Sequence, residues 1–137
     1  MPNFRISEAA ALLGVSDDTV RRWADSGRLP TVRDEAGRQA IEAAELARFA
    51  RELNPRGEPA LGRAPVGGES ARNRFPGIVT RVVRDGVMAQ VELQCGPYRV
   101  VSLMSREAAD ELGLEPGVLA VGAVKATNVV VELPVRR

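Results

Sequence analysis

Residues 55–69 read PRGEPALGRAPVGGE and carry three of the chain's nine prolines and four of its thirteen glycines. No apolar period survives across them, so the stretch reads as a flexible linker. Its reading decides the fold, because the 137-residue chain changes period across it. Residues 1–54 are alanine-rich and helical in pattern, whereas residues 70–137 are valine-rich and alternate as strands do. The expectation is an α+β chain of two domains, 1–54 and 70–137, joined by 55–69.

Composition narrows the functions available. Nineteen basic and eighteen acidic residues leave no global field to attract nucleic acid, so any DNA contact must come from local placement. The single cysteine, Cys95, excludes an internal disulfide and reads as a small buried hydrophobe on a strand. The chain has no histidine, hence no imidazole base or metal ligand, and no carboxylate cluster is spaced to hold a bare metal cation. No segment approaches the roughly 18 consecutive apolar residues of a membrane span, and the N-terminus lacks a cleavable signal. A cytoplasmic, non-enzymatic protein is expected, since neither a phosphate loop nor a nucleophile–base pair is present.

Upstream of the linker, Ser7 precedes EAAALLG, a short helix with Ala10 and Leu13 on one side and Gly14 as its left-handed stop. Ser16 caps a second helix whose first turn holds Asp17 and Asp18. That helix turns Val20, Trp23 and Ala24 inward and leaves Thr19, Arg21 and Arg22 outward. LPTVRDEAGRQAI then reads as a hairpin or wing, and EAAELARFARELN as a third helix with Leu46, Phe49 and Leu53 inward. The spacing of Ala10, Gly14 and Val20 fits a helix-turn-helix. With VSDDTVRRWADSGRLP, residues 4–53 resemble the MerR-like, excisionase-type winged helix-turn-helix family. The resemblance implies a second helix in the major groove, with Thr19, Arg21 and Arg22 contacting DNA, and a wing in which Arg38 anchors a phosphate. The sequence departs from the family in its wing, where GRQAI keeps only Arg38, and in charge, with eight basic and nine acidic residues over 1–54. A protein-binding role for this module therefore stays open.

Downstream, MAQVELQC places Ala89, Val91, Leu93 and Cys95 on one face and Gln90, Glu92 and Gln94 on the other. Asp85-Gly86 is a strong hairpin signal. YRVVSLM is a third strand, SREAADELGL a short helix capped by Ser105, and GVLAVGAVKA and TNVVVEL two further strands. Five short strands and a helix suggest a small OB-like β-barrel.

Lys125 is the only lysine beside eighteen arginines. Alternation along LAVGAVKA sets it at the end of an apolar and therefore buried face, with Leu119, Val121 and Ala123. Ser70 and Arg72 in SARN, and Ser105 at a helix N-terminus, add hydroxyls, amides and a second cation. A set made of donors suits a tetrahedral dianion; a surface salt bridge for Lys125 and simple capping by Ser105 is the other reading of the residues alone. SARNRFPGIVTRVV, SREAADELGLEPG and VKATNVVV, in that order and spacing, resemble the molbindin (Mop, TOBE-type) domain over residues 70–134. That resemblance implies molybdate, and often tungstate, held between intertwined subunits by Ser70, Arg72, Ser105, Lys125 and the Ala126 amide. It also implies a homo-oligomer formed through this domain by strand exchange, a dimer or a hexamer built as a trimer of dimers. Ala108 departs from the family, which often has a hydroxyl there. Together the two resemblances imply a molybdate-responsive DNA-binding regulator, with a molybdate storage protein or a pure oligomerisation module as alternatives.

Overall fold

The computed structural model describes residues 2–53 and 72–135. The chain divides into two compact units, Met1–Glu58 and Pro59–Arg137. The expected linker 55–69 and Ser70 lie outside the described residues. Among the described residues no helix is long and apolar enough to cross a membrane.

The first unit runs β1 (Asn3–Arg5), α1 (Ile6–Leu13), α2 (Asp17–Asp25), β2 (Val32–Arg33), β3 (Gln39–Glu42) and α3 (Ala43–Leu53). α1 begins earlier than the Ser7 signal suggests, because Arg5 takes the cap position and the Glu8 carboxylate accepts the Arg5 backbone N–H at 3.1 Å. Gly14 follows α1 at φ +71°, the left-handed stop its sequence position requires. Ser16 caps α2 as expected, accepting the Thr19 N–H at 3.2 Å. Ile6, Ala9, Ala10, Val20, Leu29, Ile41, Leu46 and Phe49 form the core, closed by the antiparallel sheet β1-β3-β2. Trp23 meets Phe49 edge-on at 5.0 Å, and the Arg28 guanidinium lies 5.7 Å from the same ring. Leu53, expected inward, is exposed, since the core ends one turn earlier at Phe49.

The second unit runs β4 (Asn73–Arg84), β5 (Met88–Cys95), β6 (Tyr98–Ser105), α4 (Arg106–Glu111) and β7 (Leu119–Val124), then a 3₁₀ turn at Ala126–Asn128. Its sheet is antiparallel in the order β6-β5-β4-β7. The Asp85 turn forms as read: Asp85 Oδ1 accepts the N–H groups of Val87 and Met88, each at 2.7 Å. The inner face carries the expected Ala89, Val91, Leu93 and Cys95, packed with Val79, Ala109 and Leu114. Gly77 admits a close approach of β5: a Cβ there would lie 2.4 Å from the Gln94 carbonyl oxygen.

Two expectations fail here. TNVVVEL is not a strand; Ala126–Asn128 is a 3₁₀ turn, and residues 129–135 make no ladder within the chain. Consequently the sheet has four strands among the described residues and not the five expected, so the partly open barrel lacks its fifth strand. Its edge strands β6 and β7 flank a groove of about 450 Å³ lined by Leu93, Val100, Met104, Leu114, Ala120 and Val124. Val130, Val131 and Leu133 stand 80–90% exposed beyond it. Closure needs a strand between two edges, and the chain's own apolar tail lies elsewhere.

Candidate functional site

The ladder between β4 and β7 decides what the SARN and KA segments share. Asn73 pairs with Val124 and Arg74 with Ala123. Continuing that register by one residue sets Arg72 opposite Lys125. Residues paired in this way project from the same side of a sheet, so the fold sets the two cations, distant in sequence, at the same end of the ladder, each next to the Asn73–Val124 pair. Arg74 lies one pair further along on that side.

That side is not the one expected for Lys125. Ala120, Gly122 and Val124 turn inward, and a Cβ on Gly122 would touch Leu93 and Val100 at 3.4 Å. Leu119 and Val121 point outward, 78% and 47% exposed, and Lys125 is exposed with them. The alternation is present, but the small residues fill the inner side, and the outer side stands exposed among the described residues. Among the described residues, neither the Arg72 nor the Lys125 side chain has a hydrogen-bond or ion-pair partner. Lys125 also initiates the 3₁₀ turn, its carbonyl accepting the Asn128 N–H at 2.9 Å. That bond leaves the Ala126 N–H, in the first turn, outside the turn's own pairing.

Ser105 is elsewhere. It ends β6 opposite Met88, beside the Asp85 turn that follows Arg84. The twelve residues of β4 separate this end from Asn73, on the order of 35 Å along the strand. Ser105 Oγ accepts the Ala108 N–H at 3.1 Å, and the Arg106 N–H donates to the Val87 carbonyl at 2.8 Å. Two amides expected to face outward are thus already used, although the Ser105 hydroxyl proton remains available. The structure therefore places Arg72, Lys125 and Ala126 at one end of the β4–β7 ladder and Ser105 beyond the other end of β4. A site using all four requires a second copy.

In the first unit, Thr19, Arg21 and Arg22 lie on α2, with Val20 buried behind them. Arg22 donates to Thr19 Oγ1 at 3.3 Å, Thr19 Oγ1 lies 2.9 Å from Ser16 Oγ, and Arg21 pairs with Asp18 at 3.2 Å. Both arginines are exposed. Arg38 sits in the β2–β3 hairpin, its Nε 3.2 Å from Asp34 Oδ2. The Arg38 backbone N–H foremost, then the Arg38 charge and the Ala36 N–H, hold the Asp34 carboxyl below the usual carboxylate range. Arg33, not singled out in the sequence, donates to the Gly37 carbonyl at 3.2 Å across the same turn. Its symmetric spacing with Arg38 about DEAG was the available signal.

Another feature missed in the sequence lies on the outer face of β5. The Glu92 side chain is only 12% exposed there and is hydrogen-bonded by Arg99. That bond first, then the charges of Arg99 and Arg81, lower its pKa against the opposing effect of burial. Among the described residues no group of three or more Cys, Asp or Glu could hold a metal ion.

Residues 4–54 match the family model described as a helix-turn-helix domain, and residues 69–131 match that of the TOBE domain. No curated protein matches the chain. Among solved structures, a molybdate binding protein from Sporomusa ovata is 27% identical, with a TM-score of 0.47, over 48% of this chain and 98% of its own. MopII from Clostridium pasteurianum is 31% identical, with a TM-score of 0.45, over 48% of this chain and 100% of its own. The cytoplasmic molybdate-binding protein ModG is 37% identical, with a TM-score of 0.47, over 49% of this chain and 48% of its own. The two family-model matches thus fall one in each compact unit, the helix-turn-helix match in the first and the TOBE match in the second.

Proposed function

We propose that this chain is a molybdate-responsive DNA-binding regulator of the cytoplasm, without enzymatic activity. One observation carries the sensor half of the reading: Arg72 and Lys125 flank the last pair of the β4–β7 ladder, Asn73–Val124, and among the described residues neither side chain has a carboxylate partner. Like charges directly opposed on a sheet are unfavourable, and an anion bound between them reverses the sign of the interaction. The ammonium is a compact charge with three donors, suited to a small oxyanion. The molbindin-like blocks favour molybdate among such dianions, with tungstate as its heavier analogue of nearly the same size.

The ligand set is Ser70, Arg72, Lys125 and the Ala126 amide of one subunit with Ser105 of another. The separation of Ser105 from the cations supports a site at a subunit boundary. Residues 129–135 carry the apolar content of a strand, and the groove between β6 and β7 lacks one. A tail exchanged between copies satisfies both edges and yields a dimer, or a hexamer when dimers stack.

The DNA-binding half rests on the helix-turn-helix match and on Thr19, Arg21 and Arg22 standing outward on α2, with Arg38 as phosphate anchor. A second reading, molybdate storage with a protein-binding helix-turn-helix, is favoured by one observation: Arg21 and Arg38 are already paired with Asp18 and Asp34. Calorimetry of the full chain with molybdate, combined with gel shifts across promoter fragments with and without molybdate, separates the two. Heat together with a molybdate-dependent shift supports the regulator, and heat with no shift on any fragment supports storage. No heat with molybdate or tungstate sinks the sensor.

A further inference from the structure

Arg72 and Lys125 flank the last pair of the β4–β7 ladder, Asn73–Val124, so two cations stand where the ladder ends. Mutual repulsion pushes the two strand ends apart at the place where an anion site needs its donors fixed in advance. Among the described residues, one side-chain hydrogen bond spans this end: Asn73 Nδ2 donates to the Val124 carbonyl at 3.2 Å. Asn73 is half-buried and directly opposite Val124, on the inner side, so it reaches across without entering the cationic face.

The placement of that bond is informative. Asn73 follows Arg72 in sequence, and the carbonyl it holds belongs to the peptide that leads into Lys125. Fixing that peptide fixes the extended backbone of Lys125 (φ −62°, ψ 141°). The same peptide sets the 3₁₀ turn that presents the Ala126 N–H, since Lys125 supplies the carbonyl closing that turn. A single carboxamide therefore ties both segments that supply positive charge.

We infer that Asn73 is a positioning residue of the oxyanion site, clamping Arg72 and Lys125 together against their repulsion; the inference rests on the oxyanion reading above. Three consequences follow from a clamp that a purely structural bond would not share. Removing the donor weakens anion affinity more than it lowers the melting temperature of the unliganded protein. The defect shrinks as sodium chloride screens the two cations. A side chain that restores a carboxamide restores part of the affinity.

The test uses the full chain with Asn73→Leu, which keeps size and neutrality without a donor, and Asn73→Gln, which keeps the carboxamide. By calorimetry, Asn73→Leu should bind molybdate about five- to tenfold more weakly, the loss of one hydrogen bond, and Asn73→Gln should recover part of it. In the unliganded protein, hydrogen exchange at the Asn128 amide should quicken in Asn73→Leu and slow again with added sodium chloride. Wild-type affinity and wild-type Asn128 exchange in Asn73→Leu overturn the role, as does a lowered melting temperature with affinity unchanged. Absence of heat with wild-type protein overturns the oxyanion reading and this role with it, whereas equal binding by wild type and Asn73→Leu overturns the role alone.

Discussion

The first unit buries Val20, Leu29 and Ile41 to within 1% of full exclusion, whereas the second leaves Leu119 78% exposed and Leu133 90% exposed. Arginines meet carboxylates in both units, Arg21 on Asp18 and Arg38 on Asp34 in the first, Arg84 on Asp110 and Arg99 on Glu92 in the second. At the β4–β7 end, by contrast, Arg72 and Lys125 flank the last ladder pair, and among the described residues neither side chain has an ion-pair partner. A unit that satisfies itself can act alone on whatever it binds. The second unit has two open sheet edges and an exposed apolar tail. The difference shows where regulation would enter under the function proposed above: a ligand joining copies of the second unit would alter how copies of the first are held together.

The largest expected effect tests the independence of the first unit. Phe49 joins α3 to Trp23 and Arg28 and is 2% exposed. Phe49→Ala should cost about 3–5 kcal/mol through lost contacts and a cavity, a large share of the stability of so small a domain. Denaturation followed by circular dichroism should lose the helical transition and keep that of the sheet. Concerted loss of both would show that the units are not independent.

Next in size is the incompleteness of the second unit. A chain ending at Asn128 lacks Val129, Val131 and Leu133, each worth roughly 1.5–3 kcal/mol when buried. Sedimentation should then give a monomer in place of an oligomer, with the helix-turn-helix unit unaltered. An oligomer of unchanged mass would mean that assembly uses a surface other than the groove.

How far these features could be read in the sequence depends on where their partners lie. Caps and turns are local: Ser16, Gly14 and Asp85 each act within four residues, and all three were legible. The alternation of β5 was legible because its inner face packs within the chain. The face carrying Lys125 was not, since period two identifies two faces without saying which is inside, and the small residues Ala120, Gly122 and Ala123 weaken the contrast. TNVVVEL has the composition of a strand, and its failure to pair within the chain is a fact about partners. Ser105 and Lys125 were chosen from their residue types and local spacing, but their separation along β4 depends on register, which spacing alone does not convey.

A smaller effect addresses the cationic pair. Lys125→Ala removes one of two opposed charges from an exposed position, so the fold should not suffer and could gain from relieved repulsion. Oxyanion affinity should fall on the order of a hundredfold, as expected when a charge loses its partner in a shielded site. Calorimetry with molybdate, alongside light scattering to confirm an intact oligomer, checks this. Wild-type affinity in Lys125→Ala would move the site away from the β4–β7 end.

The smallest effect concerns acid, where the two units differ in degree. Asp34 is the carboxylate with a lowered pKa in the first unit; Asp85 and Glu92 are two such groups in the second. For Asp85 the Met88 N–H is the leading cause, followed by that of Val87. A carboxylate whose folded pKa lies below its unfolded value contributes stability at pH above the unfolded value, and that contribution is lost as pH falls through the folded one. The window therefore opens near the ordinary 3.8 of Asp34 and Asp85 and extends downward. The second unit, holding two such groups, should lose more of its stability across it than the first. Asp34→Asn keeps an oxygen for the Ala36 and Arg38 amides and removes the charge, so it should flatten the acid slope of the helical transition alone. It also releases Arg38 from its ion pair, and DNA affinity should rise slightly at low salt, the gain fading as salt screens the added phosphate contact. An unchanged acid slope in Asp34→Asn would show that the hairpin turn is held by backbone geometry and not by this charge.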